Sequence, residues 1–318
     1  PDPDTDEGAP PMTGRPLFTA APGRAIFDPR RHGLGAAAPG PSSPLSSLGA
    51  QIVIGPNGED IRVFLNTAGP NSFTLSESAT VFYEMVAGGG AGGSTFDRAG
   101  GGGAGGEVLQ GSAVLPAGTY TVTVGAGGAA GIEATAGGDS TIVGPSTSLT
   151  ARGGSAGRRH TGYATAAWQG WHNGGANSAG GGPVTLTGGN AGGGSVFRAA
   201  GGGAGAGGAG LPGVDPAGAD HYPGSGGPGV ATTVPGSTDR YGGGGGGGGH
   251  LLDVDDIILG EGVDGGGDGG SEPNGYVPSD GDLNSGGGGG GDGDAGFGAT
   301  NPGGNGGSGR VTIWWVPT

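Results

Sequence analysis

Gly242 to Gly249 is an unbroken run of eight glycines, and related tracts fill 88–106, 174–182, 188–210 and much of 242–309. Glycine loses more backbone freedom on ordering than any other residue, so such tracts cannot form ordinary helix or strand interiors. With 90 Gly and 24 Pro in 318 residues, the chain lies far from the composition of a standard helical or α/β domain. Collagen is excluded as well, because it needs glycine at every third position and not in unbroken runs.

The residue types that are missing narrow the chemistry. There is no cysteine, which removes disulfide frameworks, thiolate metal sites and thiol nucleophiles. There is no lysine either, so neither a Walker-type phosphate loop nor a Schiff base can be built. A formal net charge of -15 argues against nucleic acid as a partner, since phosphate neutralisation needs basic patches. No apolar run is long enough to cross a membrane, so no membrane insertion is expected, and no signal-peptide pattern precedes the body.

Three regions follow from the pattern of breakers and alternation. Residues 1–50 carry ten of the 24 prolines and read as an extended arm. Within it Leu17, Phe18, Ile26 and Phe27 are apolar anchors interleaved with Arg24, Arg30 and Arg31, which suits either a docking arm or a solvated tail. Residues 51–87 form a β region: QIVI and IRVFL flank an Asn57-Gly58 turn, and Val81, Tyr83 and Met85 alternate with Phe82, Glu84 and Val86. Residues 88–318 are glycine-rich, with strands predicted at 107–124, 140–154, 183–187 and 310–316. The first is predicted as a second hairpin, EVLQGSAVL and TYTVTVG turning at Pro116-Ala117-Gly118. No segment shows a 3.6-residue apolar period, so almost no α-helix is expected.

The tracts themselves admit two readings, flexible linkers or packed segments. Because each abuts a predicted strand, packing is favoured: left-handed, three-per-turn helices side by side, bonded through their backbones, with bare Cα positions allowing close approach. An inter-segment hydrogen bond nets about 0.5–1.5 kcal/mol against an ordering cost of about 1–2 kcal/mol per residue, so only a dense array would be stable.

The order of elements TVFYEMVAGGGAGG, GGGGAGGEVLQGSAVLPAGTYTVTVGAGG, GGDSTIVGPSTSLTARGG, then long glycine stretches and a closing GGNGGSGRVTIWWVP resembles the glycine-rich domains of bacteriophage tail-fibre and tail-tip adhesins, over about residues 75–318. The resemblance implies a mostly β fold with polyglycine II helices: a small β-sandwich or β-rich base packed with a glycine-rich helix bundle. It also implies a virion protein whose loops between tracts bind a host receptor, a bacterial surface glycan or outer-membrane protein, with a homotrimer as one arrangement; the Pro-rich arm is a departure from that pattern and is read as docking on other tail proteins. A non-adhesive structural virion protein, a head decoration or tail spacer, is the alternative.

The richest non-glycine insertion is RRHTGYATAAWQGWHN, holding Arg158, Arg159, His160, Tyr163, Trp168, Trp171 and His172. Aromatic faces stack on sugar rings and Arg and His pair with anionic groups, so these residues are receptor-binding candidates, with packing or subunit contact as the competing role. Weaker candidates are His221, Tyr222 and Tyr241. Acidic residues from Asp253 to Asp294 lack a calcium-loop repeat and read as solvated. No paired-carboxylate or histidine motif points to catalysis, so neither an enzyme nor a cofactor is expected.

Overall fold

The structure is a computed structural model that describes residues 43–94, 99–158, 199–214, 222–249, 259–271, 275–293 and 301–317. Among the described residues strands alternate with glycine tracts. The strands are β1 (Leu45–Leu48), β2 (Ala50–Ile54), β3 (Asp60–Phe64), β4 (Asn71–Leu75), β5 (Ala79–Val86), β6 (Val108–Leu115), β7 (Gly118–Thr123), β8 (Ser140–Gly144), β9 (Thr147–Ala151), β10 (Val230–Ala231), β11 (Arg240–Tyr241) and β12 (Arg310–Trp315).

Ten of these strands make two antiparallel five-stranded sheets, ordered β1-β4-β7-β8-β9 and β2-β3-β12-β5-β6, while β10 and β11 pair separately. Period-two alternation turns Phe73, Tyr120 and Ile142 of the first sheet toward Tyr83, Met85 and Ile313 of the second, and together they form one core. Phe73 and Tyr120 stack with ring centroids 4.8 Å apart, and the Tyr120 hydroxyl donates to the Pro116 carbonyl at 2.9 Å. The molecule is therefore mostly β, and its base is a β-sandwich.

Two local expectations change. The predicted second hairpin is instead a crossing between sheets: β6 pairs with β5, whereas β7 pairs with β4 and β8. Leu109 and Leu115 reach the core from one side and Tyr120 and Val122 from the other, which a flat hairpin would not allow. The sandwich also starts at Leu45, inside the segment read as arm, because Leu45 is buried opposite Leu75 and Gly49, at φ +81°, turns the chain from β1 into β2. The strand predicted at 183–187 lies outside the described residues.

The expectation of a polyglycine II helix bundle is corrected. Among the described residues no segment is helical, and the tracts carry no ladder of bonds along their own chain. In the bundle's place is a lattice of non-helical glycine segments bonded to one another. Gly88, Gly89 and Gly90 donate to the carbonyls of Gly138, Gly307 and Ala104, at 3.0, 2.9 and 2.8 Å. Ala91, Gly92 and Gly93 then donate to Thr135, Gly304 and Gly101, which lie on the same three neighbouring segments in the same order. The pattern recurs where Gly245 and Gly248 donate to Gly103 and Gly100, and Gly246 and Gly249 to Gly267 and Gly270.

The absence of side chains is a condition of this spacing. A Cβ on Gly289 would stand 2.1 Å from the Gly304 carbonyl oxygen, and one on Gly103 would stand 2.2 Å from that of Gly90. The obstructing atoms are backbone, held by their own hydrogen bonds, so they have nowhere to move. The lattice grows directly from the sandwich: β5, β7 and β9 run outward into tracts, and tracts return into β6, β8 and β12.

Gly289→Ala is expected to destabilise the protein by about 3 kcal/mol or more, the upper range for overpacking, and to lower the melting temperature by about 6 °C or more. Gly131→Ala, where the added methyl would meet its nearest atom at 3.7 Å, is expected to change it by less than about 2 °C. Thermal unfolding followed by circular dichroism compares the two.

Candidate functional site

Remote from the sandwich, a set of tract residues bond one another. Gly101 donates to the Arg158 carbonyl at 3.2 Å, Gly93 to Gly101 at 2.8 Å and Asp292 to Gly93 at 3.0 Å. Gly100 donates to Asp292, Gly248 to Gly100 and Ala200 to Gly248, at 2.8, 3.0 and 3.0 Å. Each of these residues lies within a few positions of a stretch outside the described residues: 95–98, 159–198, 250–258 or 294–300. Bridges from Ala199 to Gly249, Gly249 to Ser271 and Ser271 to Tyr276 bring in the ends of 272–274 as well. Residues bordering five such stretches thus meet at one face of the lattice, which we term the distal face.

The opposite end of the molecule holds the other feature of interest. Arg310, Val86 and Val108 mark the lattice end of the second sheet, whereas Asp60, Trp315 and Leu115 mark its far end. Leu45 lies opposite Leu75, itself opposite Gly118, at the corresponding far end of the first sheet. The chain preceding residue 43 therefore enters at the end remote from the distal face.

Between these ends a buried polar cluster fastens the segment 230–241 onto the outer side of the second sheet. Glu84 accepts from Thr232 Oγ1 at 2.8 Å, Thr233 N at 3.1 Å and Gln110 Nε2 at 2.8 Å. Arg310 Nη2 lies 3.9 Å from Glu84 Oε1 and donates to Thr312 Oγ1 at 2.9 Å. Arg310 Nη1 donates to the Tyr241 hydroxyl, and its guanidinium lies 4.4 Å from the centroid of that ring. Burial pushes the Tyr241 phenol well above its ordinary range; the adjacent Arg310 pulls it back, and Asp239 and Glu84 push it up further. Val234 then covers Ile61, Val63 and Trp314.

The receptor-binding candidates divide by location. Arg158 is exposed, and its carbonyl belongs to the distal face. Tyr222 is half-buried and exchanges backbone bonds of 2.8 and 2.9 Å with Val214. Tyr241 is only 1% exposed and is committed to Arg310, so it presents no surface to an outside ligand. Arg159, His160, Tyr163, Trp168, Trp171, His172 and His221 lie outside the described residues, as do Leu17, Phe18, Ile26, Phe27, Arg30 and Arg31. Sequence reasoning missed the exposed Val214, Tyr276 and Val277 near the distal face, because isolated residues between glycines show no periodicity.

The acids described have local work. Asp264 accepts from Arg240 Nε at 2.9 Å and Gly229 N at 2.8 Å, Asp268 from Gly262 N at 2.8 Å, and Asp280 from Asn305 N at 2.7 Å. Among the described residues no three His, Asp or Glu side chains are grouped to hold a metal ion.

A family model described as a glycine-rich domain matches residues 66–316, from the loop before β4 to the end of the sandwich. The chain belongs to this glycine-rich domain family. No curated protein matches it. Membership of the glycine-rich domain family carries no phage assignment, and the helix bundle that the resemblance implied is absent from the described residues. The resemblance to polyglycine II tail adhesins, with its virion and tail-fibre terms, is accordingly corrected to the family alone.

Tyr241→Phe removes the hydroxyl partner of a buried guanidinium and is expected to cost about 1–3 kcal/mol at neutral pH. Because the Tyr241 phenol is raised in the fold, its stabilisation is full below about pH 10, the ordinary tyrosine value, and is lost as pH climbs above it. Urea unfolding at pH 7, 9 and 11 is expected to show a shallower alkaline decline in the variant than in the parent.

Proposed function

We propose that this glycine-rich domain is a non-enzymatic adhesin, a rigid stand that presents insertions at its distal face to a cell-surface ligand while the arm end fastens it to a larger assembly. The observation that carries the reading is a convergence: residues bordering five separate stretches of sequence meet at one face of the lattice and bond one another. A scaffold held mainly by bonds between backbones places little demand on the sequence between its tracts, so insertions can vary in chemistry while their anchor points stay fixed. Loops held by a rigid scaffold are where binding residues concentrate.

The ligand chemistry follows from the richest insertion. Trp168 and Trp171 offer stacking faces for sugar rings, and Arg158, Arg159 and His160 offer donors to carboxylate or phosphate groups. In a chain of net charge -15, a local cluster of cations gives an anionic surface glycan one place to bind.

The full chain, fluorescently tagged, is applied to an array of bacterial surface polysaccharides beside a Trp168→Ala/Trp171→Ala variant. Saturable binding to anionic polysaccharides is expected, weakened at least tenfold in the variant while its melting temperature is unchanged. Equal binding by parent and variant, or retention of neutral polymers only, would overturn the assignment and favour a structural role.

A further inference from the structure

β2 is an edge strand, yet its sequence, AQIVI, has no charge and no proline, the usual devices that keep an edge from pairing with another chain. Register places Ile52 opposite Arg62 and Ile54 opposite Asp60. Directly opposed residues share a face, so both isoleucines lie on the side of the sheet that carries Phe64 and the core. Nevertheless Ile52 is 63% and Ile54 57% exposed, because the facing edge strand, β1, is only four residues long and does not cover them. The sandwich is open at this corner.

Inside the opening lies an incompletely satisfied ion pair. Arg62 Nη2 donates to Asp60 Oδ2 at 2.8 Å and to the Leu45 carbonyl at 3.3 Å. Asp60 Oδ1 and Arg62 Nε are both out of solvent and have no hydrogen-bond partner. Buried charged groups are ordinarily fully bonded, and inward-facing isoleucines are ordinarily covered. Two independent signs, apolar and polar, mark the same corner as unfinished.

The occupant is indicated by where the chain comes in. The Leu45 carbonyl is itself part of the opening, and residues 1–42 lead into it from outside the described residues. Within them, RAIFDPRR at 24–31 sets Ile26 and Phe27 between Arg24 and the pair Arg30 and Arg31. That is the complement of the corner, where Ile52 and Ile54 stand beside an unpaired carboxylate oxygen. Fifteen residues, 28–42, separate Phe27 from Ser43, and at about 3.3 Å per residue they reach any point on the corner.

We propose that residues 24–31 of the same chain close the corner, with Ile26 and Phe27 against Ile52 and Ile54, an arginine of the segment at Asp60 Oδ1 and a carbonyl of the segment at Arg62 Nε. The segment shields the β2 edge and completes the core, and residues 1–23 are left to make outside contacts. The inference does not depend on the adhesin reading.

Because the chain has no cysteine, an introduced pair reports on proximity without background. In the full chain, Phe27→Cys/Ile54→Cys is oxidised beside Phe27→Cys/Val114→Cys, whose second site is 72% exposed on β6 at the opposite edge of the same sheet. The first pair is expected to close within the monomer at least tenfold faster than the second, independently of protein concentration. Equal rates, or disulfide-linked dimers that disappear on dilution, would overturn the proposal. A second measurement leaves the corner untouched: Ile26→Ser/Phe27→Ser is expected to speed hydrogen exchange at amides 50–54 at least tenfold, with exchange in the glycine tracts unchanged. Unaltered exchange at β2 would equally overturn it.

Discussion

Backbones in this protein pass so close to one another that a single methyl group cannot stand between them, and the rest of the structure depends on that constraint. A Cβ on Gly245 would stand 2.1 Å from the Gly289 carbonyl oxygen, and a Cβ on Gly287 1.9 Å from that of Gly265. At this separation peptides along the tracts reach partners on other segments, which satisfies N–H and C=O groups that would otherwise be costly to bury. No single bond of this kind offsets the entropy of ordering its glycine, so the segments are stable only as a set. The sandwich supplies the first rows of the set, because its strand ends lead directly into tracts.

The sandwich and the lattice are held together by different physics. The sandwich has an apolar interior of β-branched and aromatic side chains, whereas the lattice interior is backbone and the methyl groups of alanines such as Ala91, Ala104 and Ala204. Their junction is polar. Glu84 and Arg310 lie on neighbouring strands, two residues out of register, and each is tied to the returning segment 230–241, through Thr232 and Tyr241 respectively. Removing one partner of such a buried charged pair leaves the other uncompensated, which is why the cluster rigidifies the joint.

Much of the base was legible because strands announce themselves by alternation. Val81, Tyr83 and Met85 face the core of the sandwich, and Phe82 and Glu84 face the covering segment. The Asn57-Gly58 pair occupies the turn between β2 and β3, with Gly58 at φ +88°. What sequence could not resolve was partner choice. Pro116-Ala117-Gly118 reads equally as a hairpin or as a crossing between sheets, and only the position of a second layer decides. Glycine tracts give still less, since identical residues carry no record of which neighbour each will bond. Tyr241 looked like surface because it sits between Arg240 and the run of eight glycines, yet those glycines are the interior. The distal face was legible only as a list of insertions; the common location of the residues that border them arises from tract lengths and returns that no local pattern encodes.

The repeat of three in the lattice acts as a reading frame. Gly88 and Ala91 address one neighbour, Gly89 and Gly92 a second, and Gly90 and Gly93 a third. Loss of one glycine from such a tract would redirect every later donor toward the wrong segment, whereas loss of three would shorten the row and keep each address. Length variation inside the tracts is therefore confined to multiples of three, while the insertions beyond them are free to change by any number of residues.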